Sequence, residues 1–391
     1  MYGIALEGGG AKGAYHVGAL KALFENGYKI GAVVGTSIGS FNAAVVAQGD
    51  FDKLYKLWLN STSMDLFDIN KEDLEKLVSK RLDTDLIKNL AGYIKSITLN
   101  KGIDTTKYRE FINTYVNEEK LRNSDIEYGL VTVSLTDKTP LELYKEDIPE
   151  GKVTSYIMAS SYLPVFKSEK IDEKTFIDGG FYNNCPVNML LSKGYKNIIE
   201  IRTKGIGIIR KVKYPKDAKS IVISPSNDLG SILFVDKEQI NNNIKMGYYD
   251  ALKQIKGLIG ETYYIVDPID LRGFEILSNL KDRQIEKIAS KNIKDFKNKE
   301  ARKVLFEEII PSIYKKLKIK KHNTYDEFLI SLIEILLAED ETVEKYKLYT
   351  INELLKALKK KIPSMLKKEK NSIIKNIHKE MALKLIKEIE L

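Results

Sequence analysis

The first 60 residues alternate between two hydrophobic periods, and this alternation constrains the fold more than any other feature of the chain. Residues 4–6 and 32–34 are short apolar runs, whereas residues 14–26 and 38–47 carry apolar or small side chains at helical spacing. Strands that alternate with helices in this way favour a parallel sheet with helices on its faces. The sequence therefore predicts an α/β fold with a central, mostly parallel sheet.

Strand signals continue as far as residue 266 and then stop. Further apolar runs typical of strands lie at 126–135, 141–144, 175–178, 197–201, 220–223 and 263–266. From about residue 270 a long helical periodicity rich in Lys, Ile, Leu and Glu takes over. We therefore predict two domains, an α/β catalytic domain at 1–270 and an all-helical C-terminal region at 271–391, with the boundary near 268–275.

The net positive charge of the chain lies entirely in the second of these regions. The 391 residues carry a net charge of +9, and residues 271–391 alone hold 28 basic and 19 acidic side chains, which accounts for all of it. A basic region with few aromatic residues and no reading motif argues against nucleic-acid binding. Two interpretations stay open for the tail: helices packed on the catalytic domain with a solvated lysine face, or peripheral docking to an anionic membrane.

Apolar side chains recur at helical spacing near the end of the tail, with lysines filling the other positions. Pro363 falls inside this pattern and predicts a break into two helices. The apolar positions are Leu354, Leu358, Ile362, Met365, Ile373/Ile374, Ile377, Met381, Leu385 and Ile389.

Cysteine content and the N-terminal sequence indicate in which cellular compartment the protein is expected. The single cysteine, Cys185, excludes an intrachain disulfide and favours a reducing compartment. The first residues lack the pattern of a cleavable signal peptide. Residues 30–49 are uncharged over 20 positions, but their Gly, Ser, Thr and Asn content predicts a buried strand, turn and helix rather than a transmembrane helix. We expect a cytoplasmic protein, with peripheral membrane contact as the alternative.

Gly35-Thr36-Ser37-Ile38-Gly39 is a G-x-S-x-G segment placed between a predicted strand and a predicted helix. This is the setting in which a sharp turn lifts a serine hydroxyl out of a sheet, with Gly35 and Gly39 relieving crowding around it. Ser37 would lie at a helix N-terminus, which favours developing negative charge. Ser37 is therefore a candidate nucleophile, with a simple helix-capping turn as the alternative.

Gly8-Gly9-Gly10-Ala11-Lys12-Gly13 follows the first predicted strand directly. The spacing matches a dinucleotide-binding fingerprint, but the second strand ends in Gly35-Thr36-Ser37 and lacks the acidic residue that this fingerprint requires. The alternative is an oxyanion hole, whose backbone N–H groups would stabilise a tetrahedral intermediate beside Ser37. We favour the oxyanion hole, with Gly8, Gly9, Gly10, Lys12, Gly13 and Ile38 as its candidate residues.

A nucleophilic serine needs a base, and histidine is the usual one. The chain has three histidines: His16 lies in the first predicted helix, and His322 and His378 lie in the lysine-rich tail. Only the tail histidines follow Ser37, as a Ser–His triad of the α/β-hydrolase order would require. Asp178 offers another base, because it follows a predicted strand and precedes Gly179 and Gly180; a plain Asp-Gly turn is the alternative.

Four segments in this order resemble the patatin-like phospholipases: GGGAKG at 8–13, GTSIG at 35–39, ASSYLPVF at 159–166 and DGGFYNNCPV at 178–187. The resemblance implies a three-layer α/β fold and a Ser–Asp dyad, with Ser37 as nucleophile and Asp178 as base. Lys12 stands where the family often has arginine. Nothing after about residue 270 aligns with these motifs, so the resemblance implies nothing about the tail.

The activity implied by the resemblance is hydrolysis of fatty-acyl esters in phospholipids or other acyl lipids, of the phospholipase A or lysophospholipase type, through an acyl-serine. This chemistry requires no cofactor and no metal. A soluble esterase or thioesterase, and a partner-gated lipase effector with a protein-binding tail, are the alternatives. No feature of the sequence predicts an oligomeric state.

Overall fold

The computed structural model describes residues 1–60, 103–164, 166–167, 169–232, 236–266, 271–289, 293, 296–319, 324–338, 342–371 and 376–390. The chain separates into two compact units, Met1–Ile255 and Lys256–Leu391. The first unit ends 15 residues before the predicted boundary at residue 270, because the strand predicted at 263–266 pairs within the second unit.

The first unit alternates strands and helices along most of its length. Its strands are β1 (Tyr2–Leu6), β2 (Ile30–Thr36), β3 (Glu127–Ser134), β4 (Thr139–Tyr144), β5 (Phe176–Asp178), β6 (Asn197–Ile201) and β7 (Lys219–Ile223). Its helices are α1 (Ala14–Glu25), α2 (Ile38–Ala47), α3 (Phe51–Asn60), α4 (Thr106–Tyr115), α5 (Glu118–Arg122), α6 (Val153–Ser160), α7 (Val187–Ser192) and α8 (Lys237–Lys256).

The strands form one sheet in the order β4-β3-β2-β1-β6-β7, with β5 also paired to β3. Only the β3–β4 and β3–β5 pairs are antiparallel. Side chains of α7 pack on one face of the sheet against Ala5 and Val34. Alternate strand residues such as Ile4 and Val33 point to the other face and are also fully buried. The predicted α/β fold with a mostly parallel central sheet is confirmed.

Helix α2 explains the uncharged stretch at residues 30–49. All ten of its residues are buried, and it packs on β2 and β3. A helix covered on every side cannot carry a charge without a large desolvation cost, so its sequence is apolar all round. The expected strand, turn and helix are present, and no helix among the described residues is long and apolar enough to cross a bilayer.

The second unit is helical around a core of its own. After β8 (Tyr264–Ile265), its described helices are α9 (Gly273–Ser278), α10 (Asp282–Ala289), α11 (Ala301–Val304), α12 (Ile310–Lys316), α13 (Tyr325–Leu337), α14 (Ile351–Asn371) and α15 (Ile377–Glu388). One short ladder departs from the all-helical prediction: β8 pairs in parallel with β9 (Leu348–Tyr349).

The prediction that Pro363 separates two helices is wrong, since α14 continues through it from Ile351 to Asn371. A proline inside a helix costs about 3 kcal/mol. Burial of Leu354, Leu358 and Ile362 in the core of the second unit offsets that cost. Met381, Leu385 and Ile389 of the predicted apolar face lie in the same core, whereas residues 373 and 374 lie outside the described part of the chain.

Candidate active site

Ser37 is the single residue that connects β2 to α2. Its backbone has φ 56° and ψ −129°, a conformation that costs a residue with a side chain on the order of 1–3 kcal/mol. A Cβ atom on Gly35 would lie 2.3 Å from the carbonyl carbon of Gly39, and one on Gly39 would lie 2.4 Å from the carbonyl oxygen of Leu6. The two glycines are therefore required by close backbone packing around a strained serine.

The register of the sheet brings Ser37 and Asp178 together. Thr36, the last residue of β2, pairs with Val131 of β3, and Asp178, the last residue of β5, pairs with Thr132. Because β4 occupies the other edge of β3, β2 and β5 share one edge and meet end to end. Asp178 therefore lies next to the turn that carries Ser37, although 140 residues separate them in the chain.

A pocket opens where these two side chains meet. Asp178 is its only titratable lining group among the described residues. The lining consists of Gly9, Gly10, Ser37, Leu163, Asp178, Gly180, Phe181, Asn184, Ile206, Gly207 and Ile232.

Asp178 is held in a buried environment that favours its neutral form. Oδ1 accepts a hydrogen bond from the N–H of Gly180 at 2.7 Å, while Oδ2 has no partner of ordinary geometry among the described residues. Burial raises the pKa of Asp178 to about 6, and the Gly180 N–H and the nearby Ser37 hydroxyl oppose that rise. A carboxylate with this pKa is mostly ionised at neutral pH and is a better proton acceptor than an exposed aspartate.

Replacing Asp178 by asparagine should make the protein more stable at neutral pH. The pKa of Asp178 is raised in the folded state, so its contribution to stability is complete below about pH 3.8 and is lost as the pH rises through about 6. Denaturant unfolding should show a gain of up to about 3 kcal/mol for Asp178→Asn at pH 8 that disappears near pH 4. Equal stability of both proteins at pH 8 would contradict the buried, ionised carboxylate.

The glycine loop presents two free backbone donors to this pocket. Gly10 adopts φ +56°, and the N–H groups of Gly9 and Gly10 have no acceptor among the described residues. The N–H of Ile38, at the first turn of α2, is likewise without an acceptor there. Gly9, Gly10 and Ile38 are three of the candidate oxyanion residues named from the sequence.

The other predicted oxyanion residues have structural contacts instead. The N–H of Gly8 donates to the carbonyl of Asn184 at 3.0 Å, so it is not a free donor. The N–H of Lys12 donates to the Gly9 carbonyl, and Lys12 and Gly13 do not line the pocket. A Cβ atom on Gly13 would lie 2.8 Å from Ile38, which ties this glycine to close packing against α2.

A buried ion pair that the sequence analysis missed holds the glycine loop in place. Glu7 is 1% exposed, and its Oε2 accepts hydrogen bonds from Arg202 Nε at 2.9 Å and from the Thr203 N–H at 2.8 Å. The Thr203 hydroxyl then donates to the Gly8 carbonyl at 2.7 Å. A carboxylate directly after an apolar strand is the signal in the sequence that marks Glu7.

The Ala159-Ser160-Ser161 segment holds the Ser37 turn through a hydrogen bond to its backbone. The N–H of Ser37 donates to Ser160 Oγ at 2.8 Å, at the end of α6. The Thr36 hydroxyl donates to the Asn183 carbonyl at 2.8 Å, and a Cβ atom on Gly179 would lie 2.1 Å from the Val131 carbonyl oxygen. The third and fourth sequence segments therefore meet at the turn of the second; Val165, within the third, lies outside the described residues.

His16, the one histidine of the first unit, does not line the pocket. His16 is fully buried in α1, where its Nδ1 lies 3.2 Å from the side-chain nitrogen of Asn42, and burial lowers its pKa to about 3. His378 belongs to α15 of the second unit, and His322 lies outside the described residues. In the described part of the chain, no three His, Cys, Asp or Glu side chains cluster closely enough to hold a metal ion.

Comparison with known proteins places this site in context. Residues 4–191 match the family model for patatin-like phospholipases. Patatin-like phospholipase domain-containing protein 6 of Homo sapiens is 28% identical over 198 residues, and Lysophospholipase NTE1 of Meyerozyma guilliermondii is 28% identical over 200 residues. In both comparisons 51% of this chain is covered, and it spans only 13% and 12% of those longer proteins.

Among solved structures, VipD from Legionella pneumophila aligns with 98% of this chain and 90% of its own, at a TM-score of 0.41 and 13% identity. The family model covers the glycine loop, the strained serine turn and the Asp178 turn together. Residues 4–191 therefore correspond to a patatin-like phospholipase domain that includes the candidate site.

Proposed function

We propose that this protein is a lipid acyl hydrolase in which Ser37 is the nucleophile and Asp178 is the general base. The observation that carries the proposal is the end-to-end meeting of β2 and β5 on β3, which places both side chains in one pocket. The free N–H groups of Gly9 and Gly10 on the same pocket support it.

The reaction would proceed in two balanced steps. Asp178 accepts the hydroxyl proton as Ser37 Oγ attacks the ester carbonyl, and the N–H groups of Gly9 and Gly10 stabilise the oxyanion. The protonated Asp178 then donates that proton to the departing alcohol, which leaves an acyl-serine. Water gives a proton to Asp178 as it attacks this ester, and Asp178 returns that proton to Ser37 Oγ as the fatty acid leaves.

The lining of the pocket favours an acyl chain. Leu163, Phe181, Ile206 and Ile232 surround Ser37 with apolar surface, and among the described residues Asp178 is the only ionisable group there. Such a lining suits the hydrocarbon part of a lipid better than a polar leaving group. Together with the lysophospholipase name of one relative, this supports cleavage of the phospholipase A or lysophospholipase type.

Product analysis tests the function directly. Mixed phospholipids and lysophospholipids should yield free fatty acids with the wild-type protein and none with Ser37→Ala, as measured by mass spectrometry. Cleavage of short-chain esters or acyl thioesters alone, with long-chain lipids left intact, would replace the lipase with a soluble esterase or thioesterase.

The rate of hydrolysis should fall in acid. Asp178 must be ionised to accept the proton, and burial raises its pKa to about 6, so kcat/KM should drop about tenfold for each pH unit below about 6 and level off above it. A pH–rate profile with a soluble short-chain ester measures this. An inflection near pH 4 would show that the base is an ordinary exposed carboxylate.

A further inference from the structure

Exposed apolar side chains concentrate in one loop beside the pocket, residues 205–214, here called the isoleucine loop. Of the ten large apolar side chains that are exposed in the described part of the chain, four lie between Ile206 and Tyr214. Ile206, Ile208 and Ile209 are 43%, 41% and 41% exposed. Apolar patches rimmed by polar residues mark surfaces that contact other molecules or membranes.

Contacts on both sides of the pocket fix this loop in place. The N–H of Ile208 donates to the Gly180 carbonyl at 2.8 Å, and the N–H of Asn184 donates to the Ile208 carbonyl at 2.7 Å. A Cβ atom on Gly205 would lie 2.1 Å from the Gly8 carbonyl oxygen, so the loop also abuts the glycine loop. The isoleucines are thus exposed on a backbone tied to both halves of the candidate site.

The charge of the same segment has a single sign. The isoleucine loop carries three basic side chains and no acidic one: Arg210, Lys211 and Lys213. Lys211 and Lys213 are exposed, and the Arg210 guanidinium lies 4.4 Å from the centre of the Tyr182 ring. Exposed isoleucines flanked by cations are the composition of segments that bind at the interface of an anionic bilayer.

We propose that the isoleucine loop docks the pocket onto the surface of an anionic lipid bilayer. Ile208 and Ile209 enter the boundary between headgroups and acyl chains, and Lys211 and Lys213 contact the lipid phosphates. The proposal rests on the proposed lipid hydrolase function, because Ile206 and Gly207 of the same loop line the pocket and would bring its mouth to the membrane.

The proposed membrane contact lies in the first unit and not in the basic tail. The apolar positions of the tail helices are mostly enclosed in the core of the second unit, and among the described ones only Ile377 is exposed. Each lysine near an anionic surface contributes up to about 1 kcal/mol, and burial of an isoleucine contributes about 1.5–3 kcal/mol when complete. The isoleucine loop combines both contributions within ten residues.

Vesicle sedimentation in the Ser37→Ala background tests docking without hydrolysis. The full chain should bind vesicles of equal parts phosphatidylcholine and phosphatidylserine at low salt and bind phosphatidylcholine alone far more weakly. Ile208→Ser/Ile209→Ser and Lys211→Gln/Lys213→Gln should each weaken binding on the order of tenfold.

Two control pairs are matched to these variants. Val222→Ser/Ile377→Ser removes apolar side chains that are 43% and 41% exposed elsewhere, and Lys367→Gln/Lys368→Gln removes two exposed tail charges. Both controls should bind within about twofold of the parent. Docking through the isoleucine loop is overturned if the parent does not bind these vesicles, if the loop variants bind like the parent, or if the tail pair causes the loss.

Restoring Ser37 separates this proposal from the function itself. Loop variants should hydrolyse a soluble short-chain ester like wild type but cleave vesicle lipid about tenfold more slowly. If vesicle hydrolysis is unchanged, docking is wrong while the lipase assignment stands. If Ser37→Ala still hydrolyses lipid, the proposed function is wrong, and the sedimentation result still decides the docking.

Discussion

Replacing Ser37 by alanine, or Asp178 by asparagine, should lower ester hydrolysis by about 10⁴-fold or more while the chain stays folded. In the proposed mechanism Ser37 supplies the oxygen that forms the acyl intermediate, and Asp178 takes up its proton. No other described residue of the pocket can substitute, because the remaining lining groups are apolar, glycine or Asn184. The two losses should not add, since both residues serve the same step.

Initial rates with a short-chain ester measure this loss, and a fluorophosphonate probe measures the reactivity of the serine itself. The probe should label the Ser37 peptide of the wild type and leave Ser37→Ala unmodified. Asp137→Asn is the matched control, since Asp137 follows β3 but is exposed and paired with Lys174 at 2.8 Å. Near-normal rates in either Ser37→Ala or Asp178→Asn would exclude the dyad.

Gly10→Ala should lower the rate by about 10²–10³-fold, the usual cost of losing an oxyanion donor. Gly10 adopts φ +56°, where a side chain costs about 1–2 kcal/mol, and a Cβ atom there would lie 2.0 Å from the Ile232 carbonyl oxygen. The loop must shift to relieve this contact, which moves the N–H groups of Gly9 and Gly10 away from the oxyanion.

Gly27→Ala is the control for backbone strain alone. Gly27 has φ +78°, but no atom lies within 4 Å of the Cβ position. This variant should lose only the roughly 1–2 kcal/mol that the backbone conformation costs, measured by thermal unfolding, and keep wild-type kcat/KM. If Gly10→Ala is as active as Gly27→Ala, the glycine loop is not the oxyanion hole.

The spacing of apolar residues predicts most helices and strands of the first unit correctly. Residues 38–47 and 197–201 form the predicted helix and strand at the predicted bounds, because their apolar spacing and flanking turns are strong. The predicted helix break at Pro363 was wrong, because local propensity carries no information about the buried face that keeps α14 continuous. The strand predicted at 263–266 is present as β8, but its partner β9 was missed because it has only two residues.

The candidate site could be predicted in part. Ser37, Gly9, Gly10 and Asp178 stand in motifs whose chemistry is legible from residue type and spacing, and all four line one pocket. Glu7 and Ser160 could not be assigned in this way, because their partners, Arg202 and Ser37, lie 195 and 123 residues away. Nothing in the sequence around Gly8 indicates that its N–H donates to the carbonyl of Asn184.

The sequence by itself determined the strand-to-helix turn at Ser37, the glycine-rich loop before α1 and the helical, basic character of the tail. These depend on neighbours within a few positions, where periodicity and glycine content act directly. Only the tertiary structure decided that β5 continues the line of β2 along β3, that Asp178 is buried enough to have its pKa raised to about 6, and that the isoleucine loop is exposed beside both. Register and burial arise from contacts between distant segments, and no local pattern encodes them.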